Sequence, residues 1–275
     1  MNAMLKIILI FLIAQLLGIY CGYVLFLDMT ANPYVSSFVI STNSEDVLNV
    51  FWLGTYIIIG AALMFLFIKF RPHNMFFVIM EFFLISVASS IAIYSLLRLF
   101  FGYEISMIFG ILLAMGVAAA KNFFPQLKNL AVVLATAGVG VTFGVSFSPI
   151  IVMLFLVVVS IYDYLAVFIT KHMIDLATFV IKKDLAFTVT AKEIVEGKER
   201  RIDIGSGDFI MPIMFEVSVI PLGFNAVLSV FIGALVACAI FIYLAWQKKI
   251  ILPAIPPLVL GMFIAFLASL LTGFI

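Results

Sequence analysis

Long apolar runs separated by short polar segments predict an all-α polytopic membrane protein. A helix that crosses the hydrocarbon core needs about 20 predominantly apolar residues, and nine runs come close to or exceed that length. We expect transmembrane helices, to within a few residues, over Leu5–Leu27, Val47–Ile68, Met75–Leu97, Ile105–Ala120, Asn129–Phe147, Pro149–Thr170, Ile204–Phe224, Asn225–Trp246 and Ile250–Ile275. The fifth run is rich in Gly and Ala, which favours close helix packing.

The positions of the basic residues predict the orientation of these helices. If the N-terminus is cytoplasmic, all but one of the 15 Lys and Arg residues fall in cytoplasmic segments, and the exception is Arg98. An excess of Lys and Arg marks the cytoplasmic side of membrane proteins. We therefore expect a cytoplasmic N-terminus, an external C-terminus and a multi-pass protein of the cell membrane.

One longer polar segment, residues 171–203, is expected to divide the chain. It would be a cytoplasmic loop between helices one to six, in residues 1–170, and helices seven to nine, in residues 204–275. Within the loop, Met173–Ile181 mixes apolar and charged residues and is expected to form an interfacial amphipathic helix.

The end of this loop has a different pattern. Apolar and polar residues alternate over 187–191 and again over 201–204, which predicts two short strands and a β-hairpin before helix seven. The charged segment Lys192–Arg200 between them is expected to be a solvated turn.

Composition narrows the class of function. Of the 275 residues, 66% are hydrophobic and 11% are charged, whereas about a quarter are charged in a soluble globular domain. A net charge of +1 gives no electrostatic basis for binding nucleic acid. Cys21 and Cys238 lie in apolar runs and are expected to be packing residues. We expect neither a metal nor a cofactor.

Two carboxylates within apolar runs are the strongest candidates for a functional site. Asp163 follows Tyr162 in the sixth run, and Asp208 completes the sequence Gly205-Ser206-Gly207-Asp208 at the start of the seventh. A carboxylate at the centre of a membrane helix costs about 2.5–3.5 kcal/mol on insertion scales, so its presence indicates a function. In the predicted orientation both aspartates lie in the cytoplasmic half, on consecutive antiparallel helices.

A proline-rich segment is expected at the same depth. The ninth run contains Pro253-Ala254-Ile255-Pro256-Pro257 near its start, and three prolines in five residues are expected to prevent a regular helix. Irregular backbone at membrane depth is tolerated only where it is buried in protein or lines a wet cavity. The two aspartates and this segment therefore predict one site towards the cytoplasmic face.

These motifs resemble those of the presenilin and signal peptide peptidase family of intramembrane aspartyl proteases. Tyr162-Asp163 is similar to the family's Tyr-Asp motif in helix six, and Gly205–Asp208 to its Gly-x-Gly-Asp motif in helix seven. Pro253–Ile255 resembles the Pro-Ala-Leu motif of helix nine, with Ile in place of Leu, and Ser206 stands where presenilins often have Leu. The short cytoplasmic loop argues against self-cleavage, and the short loops favour a prokaryotic, archaeal source.

The resemblance implies an aspartic endopeptidase that cleaves within transmembrane segments of membrane proteins. Asp163 and Asp208 would be catalytic and would share one proton, because two close carboxylates cannot both ionise. One would activate water, and the other would hydrogen-bond the scissile carbonyl. Substrates would be single spans with an external N-terminus. Residues 202–204 are expected to offer a strand edge to the extended substrate. The expected substrate-binding residues are Tyr162, Ile202, Ile204, Gly205, Ser206, Gly207, Pro253, Ala254 and Ile255.

A secondary transporter or cation channel is the alternative that would use the same intramembrane aspartates. Transporter sites lie near the midplane between related halves, and the sequence shows no internal repeat. Prepilin peptidases also use a Gly-x-Gly-Asp motif, but a basic residue usually follows it soon, and here Phe209 and Ile210 follow. Glu81 and Glu216 are also intramembrane, and we expect them to hydrogen-bond to nearby Ser or Tyr rather than to act in catalysis.

Overall fold

The computed structural model describes residues 2–32, 35, 39–40, 43–70, 74–169, 186–195, 198–248 and 252–274. In this part of the chain there are nine α-helices and one two-stranded sheet. The helices are α1 (Ala3–Ala31), α2 (Leu48–Phe70), α3 (Asn74–Leu97), α4 (Tyr103–Phe123), α5 (Lys128–Ser146), α6 (Pro149–Phe168), α7 (Ser206–Ser218), α8 (Phe224–Lys248) and α9 (Ile255–Leu271). The strands are β1 (Thr188–Val195) and β2 (Lys198–Gly205).

Each predicted span corresponds to one helix in the same order, which confirms the helical polytopic class. Six helices are long and apolar enough to cross a membrane, namely α1, α3, α4, α5, α6 and α8. The apolar parts of α2 and α9 are shorter, over Leu48–Leu63 and Ile255–Leu271. The 13 residues of α7 extend about 20 Å at 1.5 Å per residue. Nine complete crossings therefore stay a prediction.

The two predicted strands are confirmed, and they pair in antiparallel fashion from Thr188 opposite Gly205 to Val195 opposite Lys198. The expected turn over Lys192–Arg200 is wrong, because β1 continues to Val195 and β2 resumes at Lys198. The charged end of β1 is held by α1, where the N–H of Ala3 donates to Glu193 at 2.8 Å. The expected interfacial helix over Met173–Ile181 lies outside the described residues.

The core is centred on α7, in which every residue from Met211 to Ser218 is buried. Helix α5 packs against it at two glycines. A Cβ on Gly140 would lie 2.6 Å from Ile213 Cγ2, and a Cβ on Gly144 would lie 2.6 Å from Val217 Cβ. These distances are too short for any side chain, so the small residues of α5 permit the close approach that the sequence predicted.

Candidate active site

Asp163 lies near the end of α6 and is 8% exposed. Its Oδ2 accepts a hydrogen bond of 3.2 Å from the backbone N–H of Ile255. Ile255 is the first residue of α9, so this N–H has no acceptor within its own helix. The helix dipole also favours a carboxylate at this end. The structure therefore brings Asp163 and the Pro-Ala-Ile segment together.

The prolines of this segment lie at positions where a helix accepts them. Pro256 and Pro257 are in the first turn of α9, where the missing N–H groups would have no intrahelical acceptor in any case. The expectation that three prolines prevent a regular helix is therefore wrong from Ile255 onwards. The predicted start of this span at Ile250 is also too early, and Pro253 and Ala254 precede the helix.

Asp208 lies in the first turn of α7, directly after the hairpin. Gly205 is the N-cap residue of α7, and the Asp208 carboxylate turns back towards it, with Oδ2 3.5 Å from the position that a Cβ on Gly205 would occupy. Helices α6 and α7 pack against each other. Asp163 and Asp208 lie within electrostatic range of each other, on the two consecutive helices that the sequence assigned to them.

Between the hairpin and Asp208, the backbone of Ser206 is hydrogen-bonded to the hairpin, whereas that of Gly207 has free space beside it. The N–H of Ser206 donates to the carbonyl oxygen of Phe187 at 2.8 Å, which continues the β1–β2 hydrogen bonding into α7. At Gly207, no described atom lies within 4 Å of the position that a Cβ would occupy. A second backbone can therefore approach the chain beside Asp208.

The remaining predicted site residues lie close to these groups in sequence. Ile202 and Ile204 are in β2, opposite Ala191 and Val189. Ile204 is buried, and Ile202 is half-buried against the core. Tyr162 is half-buried next to Asp163 on α6.

The family model described as signal-peptide peptidase, presenilin aspartyl protease matches residues 14–275. The chain belongs to this family. It is an intramembrane-cleaving aspartic endopeptidase whose substrates are membrane proteins. The family finding confirms the resemblance, and nothing in the comparisons favours the transporter or channel alternative.

Two solved structures share the fold of this protease. A presenilin family intramembrane aspartate protease in space group C222 has a TM-score of 0.65 and 21% identity, covering 96% of this chain and 95% of that chain. A structure described in the same words in space group P2 has a TM-score of 0.63 and 23% identity, covering 94% and 96%. No curated protein sequence matches the chain.

The partners expected for Glu81 and Glu216 are wrong. Glu81 forms an ion pair with Lys121 of α4 and accepts a hydrogen bond from the N–H of Ala186. A buried charge is normally paired with an opposite charge, and a lysine on another helix cannot be identified from the local sequence. For Glu216, neither carboxylate oxygen has a hydrogen-bond partner among the described residues.

Pro212, which was not among the predicted site residues, lies one turn after Asp208 inside α7 of this protease. Proline has no N–H, so the carbonyl oxygen of Asp208 lacks its usual donor four residues later. The signal was available, because a proline four residues after the aspartate stands in the sequence. The carbonyl oxygen of Asp208 is therefore not hydrogen-bonded to the N–H that normally follows it in a helix.

Proposed function

We propose that this protease cleaves single-span membrane proteins with Asp163 and Asp208 as its catalytic dyad. The observation that carries the proposal is the arrangement of three elements. Helices α6 and α7 pack against each other with the two aspartates within electrostatic range. The N-terminus of α9 donates to Asp163 through Ile255. Two carboxylates on adjoining helices are the groups that an aspartic protease requires.

The chemistry follows from two carboxylates that share one proton. The ionised carboxylate draws a proton from a water molecule, and the resulting hydroxide attacks the scissile carbonyl carbon. The protonated carboxyl hydrogen-bonds the carbonyl oxygen and stabilises its developing negative charge. The proton taken from water then passes to the amide nitrogen as the C–N bond breaks, which releases an acid and an amine. The pair titrates as a unit, so the proton belongs to the dyad rather than to one aspartate.

The membrane arrangement belongs to the same proposal. The nine helices cross the cell membrane with the N-terminus in the cytoplasm and the C-terminus outside. The distribution of Lys and Arg supports this orientation. Residues 206–222, which comprise α7 and the short 3₁₀ helix Ile220–Leu222, together make the seventh crossing. Substrates then enter with their own N-terminus outside.

The substrate binds as an added strand at the outer edge of β2. In an antiparallel pair, residues that hydrogen-bond to the partner strand alternate with residues whose N–H and C=O point away from it. Ser206 bonds to Phe187 across the pair, so Ile204 and Ile202, two and four residues earlier, also face β1. Asp203 then presents its N–H and C=O to the outside. Within residues 202–204, Asp203 is thus the residue that offers backbone hydrogen bonds to a substrate.

The test of the dyad is cleavage of a single-span substrate, with an external N-terminus, by the purified protein in lipid. We expect the wild type to cut within the span, and Asp163→Ala and Asp208→Ala to be silent while they unfold at the wild-type temperature. Glu216→Gln, which changes another intramembrane acid, is the matched control and should still cut. Cleavage by either folded aspartate variant would overturn the dyad.

The test of strand addition uses two substitutions at Asp203. Both Asp203→Ala and Asp203→Pro remove the carboxylate, but only proline removes the N–H. Because this N–H does not face β1, the hairpin tolerates the loss, as edge strands tolerate proline. We expect Asp203→Pro to cut at least tenfold more slowly than Asp203→Ala. Equal rates in the two variants would exclude substrate binding through this N–H.

A further inference from the structure

The outer edge of β1 is occupied at its centre by a side chain from α5. The N–H of Thr190 donates to Asn129 Oδ1 at 3.0 Å, and Asn129 Nδ2 donates to the carbonyl oxygen of Thr190 at 2.9 Å. A neighbouring strand makes this same pair of hydrogen bonds to an outward-facing residue. The amide of Asn129 therefore takes the place that an added strand would take.

Two further helices contact the same edge on either side of Thr190. Lys6 of α1 donates from Nζ to the carbonyl oxygen of Lys192 at 3.1 Å. The N–H of Ala186, just before β1, donates to Glu81 of α3. Ala186, Thr190 and Lys192 are separated by four and two residues, as expected for residues whose backbone groups point to the same edge of a strand. Thr190 pairs with Asp203, so the same alternation places the backbone groups of Asp203 on the outer side of β2. Groups from α1, α3 and α5 together close the β1 edge.

The opposite edge of the hairpin differs. Asp203 lies opposite Thr190, and among the described residues no group outside the hairpin hydrogen-bonds to its backbone. This edge also leads directly into Gly205 and the first turn of α7, where Asp208 lies. An unpaired strand edge recruits extended chains, so the hairpin needs one edge closed and the other available.

We propose that Asn129 is a positioning residue that closes the β1 edge and confines an extended substrate to β2, beside Asp208. The inference rests on the strand addition proposed above. Asn129 is suited to this role because it lies at the start of α5, whose glycines fix that helix against α7. The two hydrogen bonds of its amide therefore fix the hairpin relative to α5 and α7. A substrate strand on β2 would then have a fixed register relative to the dyad.

The experiment compares Asn129→Asp and Asn129→Leu with the wild type. Aspartate keeps the shape and the acceptor for the Thr190 N–H but replaces the donor with an anion against the Thr190 carbonyl. Leucine removes both hydrogen bonds. Asn122→Asp, the same change at an exposed asparagine of α4, is the matched control. Three quantities are measured: hydrogen exchange at the Thr190 N–H, the rate of cleavage, and the cut positions by mass spectrometry of the products.

We expect Asn129→Leu, which removes the acceptor, to exchange the Thr190 N–H at least tenfold faster, and both Asn129 variants to spread the cut positions over neighbouring peptide bonds. Asn122→Asp should match the wild type in all three quantities. Cut positions identical to wild type in both Asn129 variants would overturn the proposal, even if cleavage slowed, since a slower rate alone reports a structural role. If Asp163→Ala is silent but the cut positions do not move, only the role of Asn129 fails. If Asp163→Ala still cuts, the proposed dyad fails instead.

Discussion

The two aspartates lie on helices that the rest of the molecule holds in different ways. Helix α7, which carries Asp208, is short and buried on every side from Met211 to Ser218. Helix α6, which carries Asp163, has one exposed side, where Ile161 is 57% and Tyr164 is 52% exposed. Asp208 is thus fixed by the packing of its helix. Asp163 depends on fewer contacts, among them the hydrogen bond from Ile255.

A substitution in α5 can disrupt the packing of α7, and we expect it to have the largest effect on stability and cleavage. Gly140→Val would place its side chain within 2.7 Å of Ile213 Cβ and 3.1 Å of the carbonyl oxygen of Ile210. A backbone atom cannot rotate away, so we expect a loss of about 3 kcal/mol of stability, or failure to fold, and no cleavage. The measurement is thermal unfolding together with cleavage in lipid.

Gly116→Val on α4 is the control, because no described atom lies within 4 Å of a Cβ there. It should unfold close to the wild-type temperature and retain cleavage. If the two variants behaved alike, the contact of α5 with α7 would not be what holds Asp208.

The hydrogen bond that Asp163 accepts from Ile255 can be removed by one substitution. Ile255→Pro removes the N–H that donates to Asp163, and proline is tolerated at the first position of a helix, although it disfavours the helical backbone angles of Ala254 before it. A hydrogen bond to a charged group contributes about 1.5–3 kcal/mol, so kcat/KM should fall roughly ten- to a hundredfold. Ile255→Leu keeps the N–H and should stay near the wild type. A proline variant as active as the leucine variant would show that this bond does not position Asp163.

The sequence predicted the helices well because an apolar run is a local signal. The start of α6 at Pro149 agrees with the predicted span, and that of α3 at Asn74 is within one residue of it. The span over 204–224 was less accurate, because hydropathy cannot separate the last strand residues from α7. The strand through Lys192 and Glu193 was missed since its charges conceal the alternation on which the prediction relied.

Contacts between distant segments were beyond local patterns. Asn129 was recognised only as the start of an apolar run, and nothing in the sequence indicates that its amide binds Thr190. In the same way, the pairing of Glu81 with Lys121 depends on how α3 packs against α4. The meeting of Ile255 with Asp163 was predicted as a shared depth, but the donor N–H could only be found in the structure.

A smaller effect is expected from occupying the space beside Asp208. Gly207→Ala adds one methyl group where no described atom lies within 4 Å, so the protein should unfold at the wild-type temperature or slightly above it, since alanine favours a helix over glycine. The methyl group would contact a substrate that approaches this backbone, and we expect cleavage to slow several-fold through a higher KM. An unchanged KM would place the substrate elsewhere.

The smallest effect on cleavage is expected at Glu216, where a substitution should change the stability of α7 instead. This side chain is fully buried, and neither of its oxygens has a hydrogen-bond partner in the part of the chain that the structure describes. A buried polar group without a partner costs about 1–3 kcal/mol. Glu216→Met keeps a similar volume without the polar atoms, so it should raise the stability by about that amount and leave cleavage unchanged.

Glu216→Gln tests whether such a gain in stability comes from removing the polar atoms of Glu216 or only from removing its carboxyl group. Glutamine is also polar and would be as poorly partnered as glutamate, so it should not stabilise the protein to the same degree. If both substitutions instead lowered the unfolding temperature, the carboxyl group would have a partner that stabilises it. Asp208 would then be held in part by a polar contact of α7, as Asp163 is held by Ile255, and the contrast between the two helices would weaken.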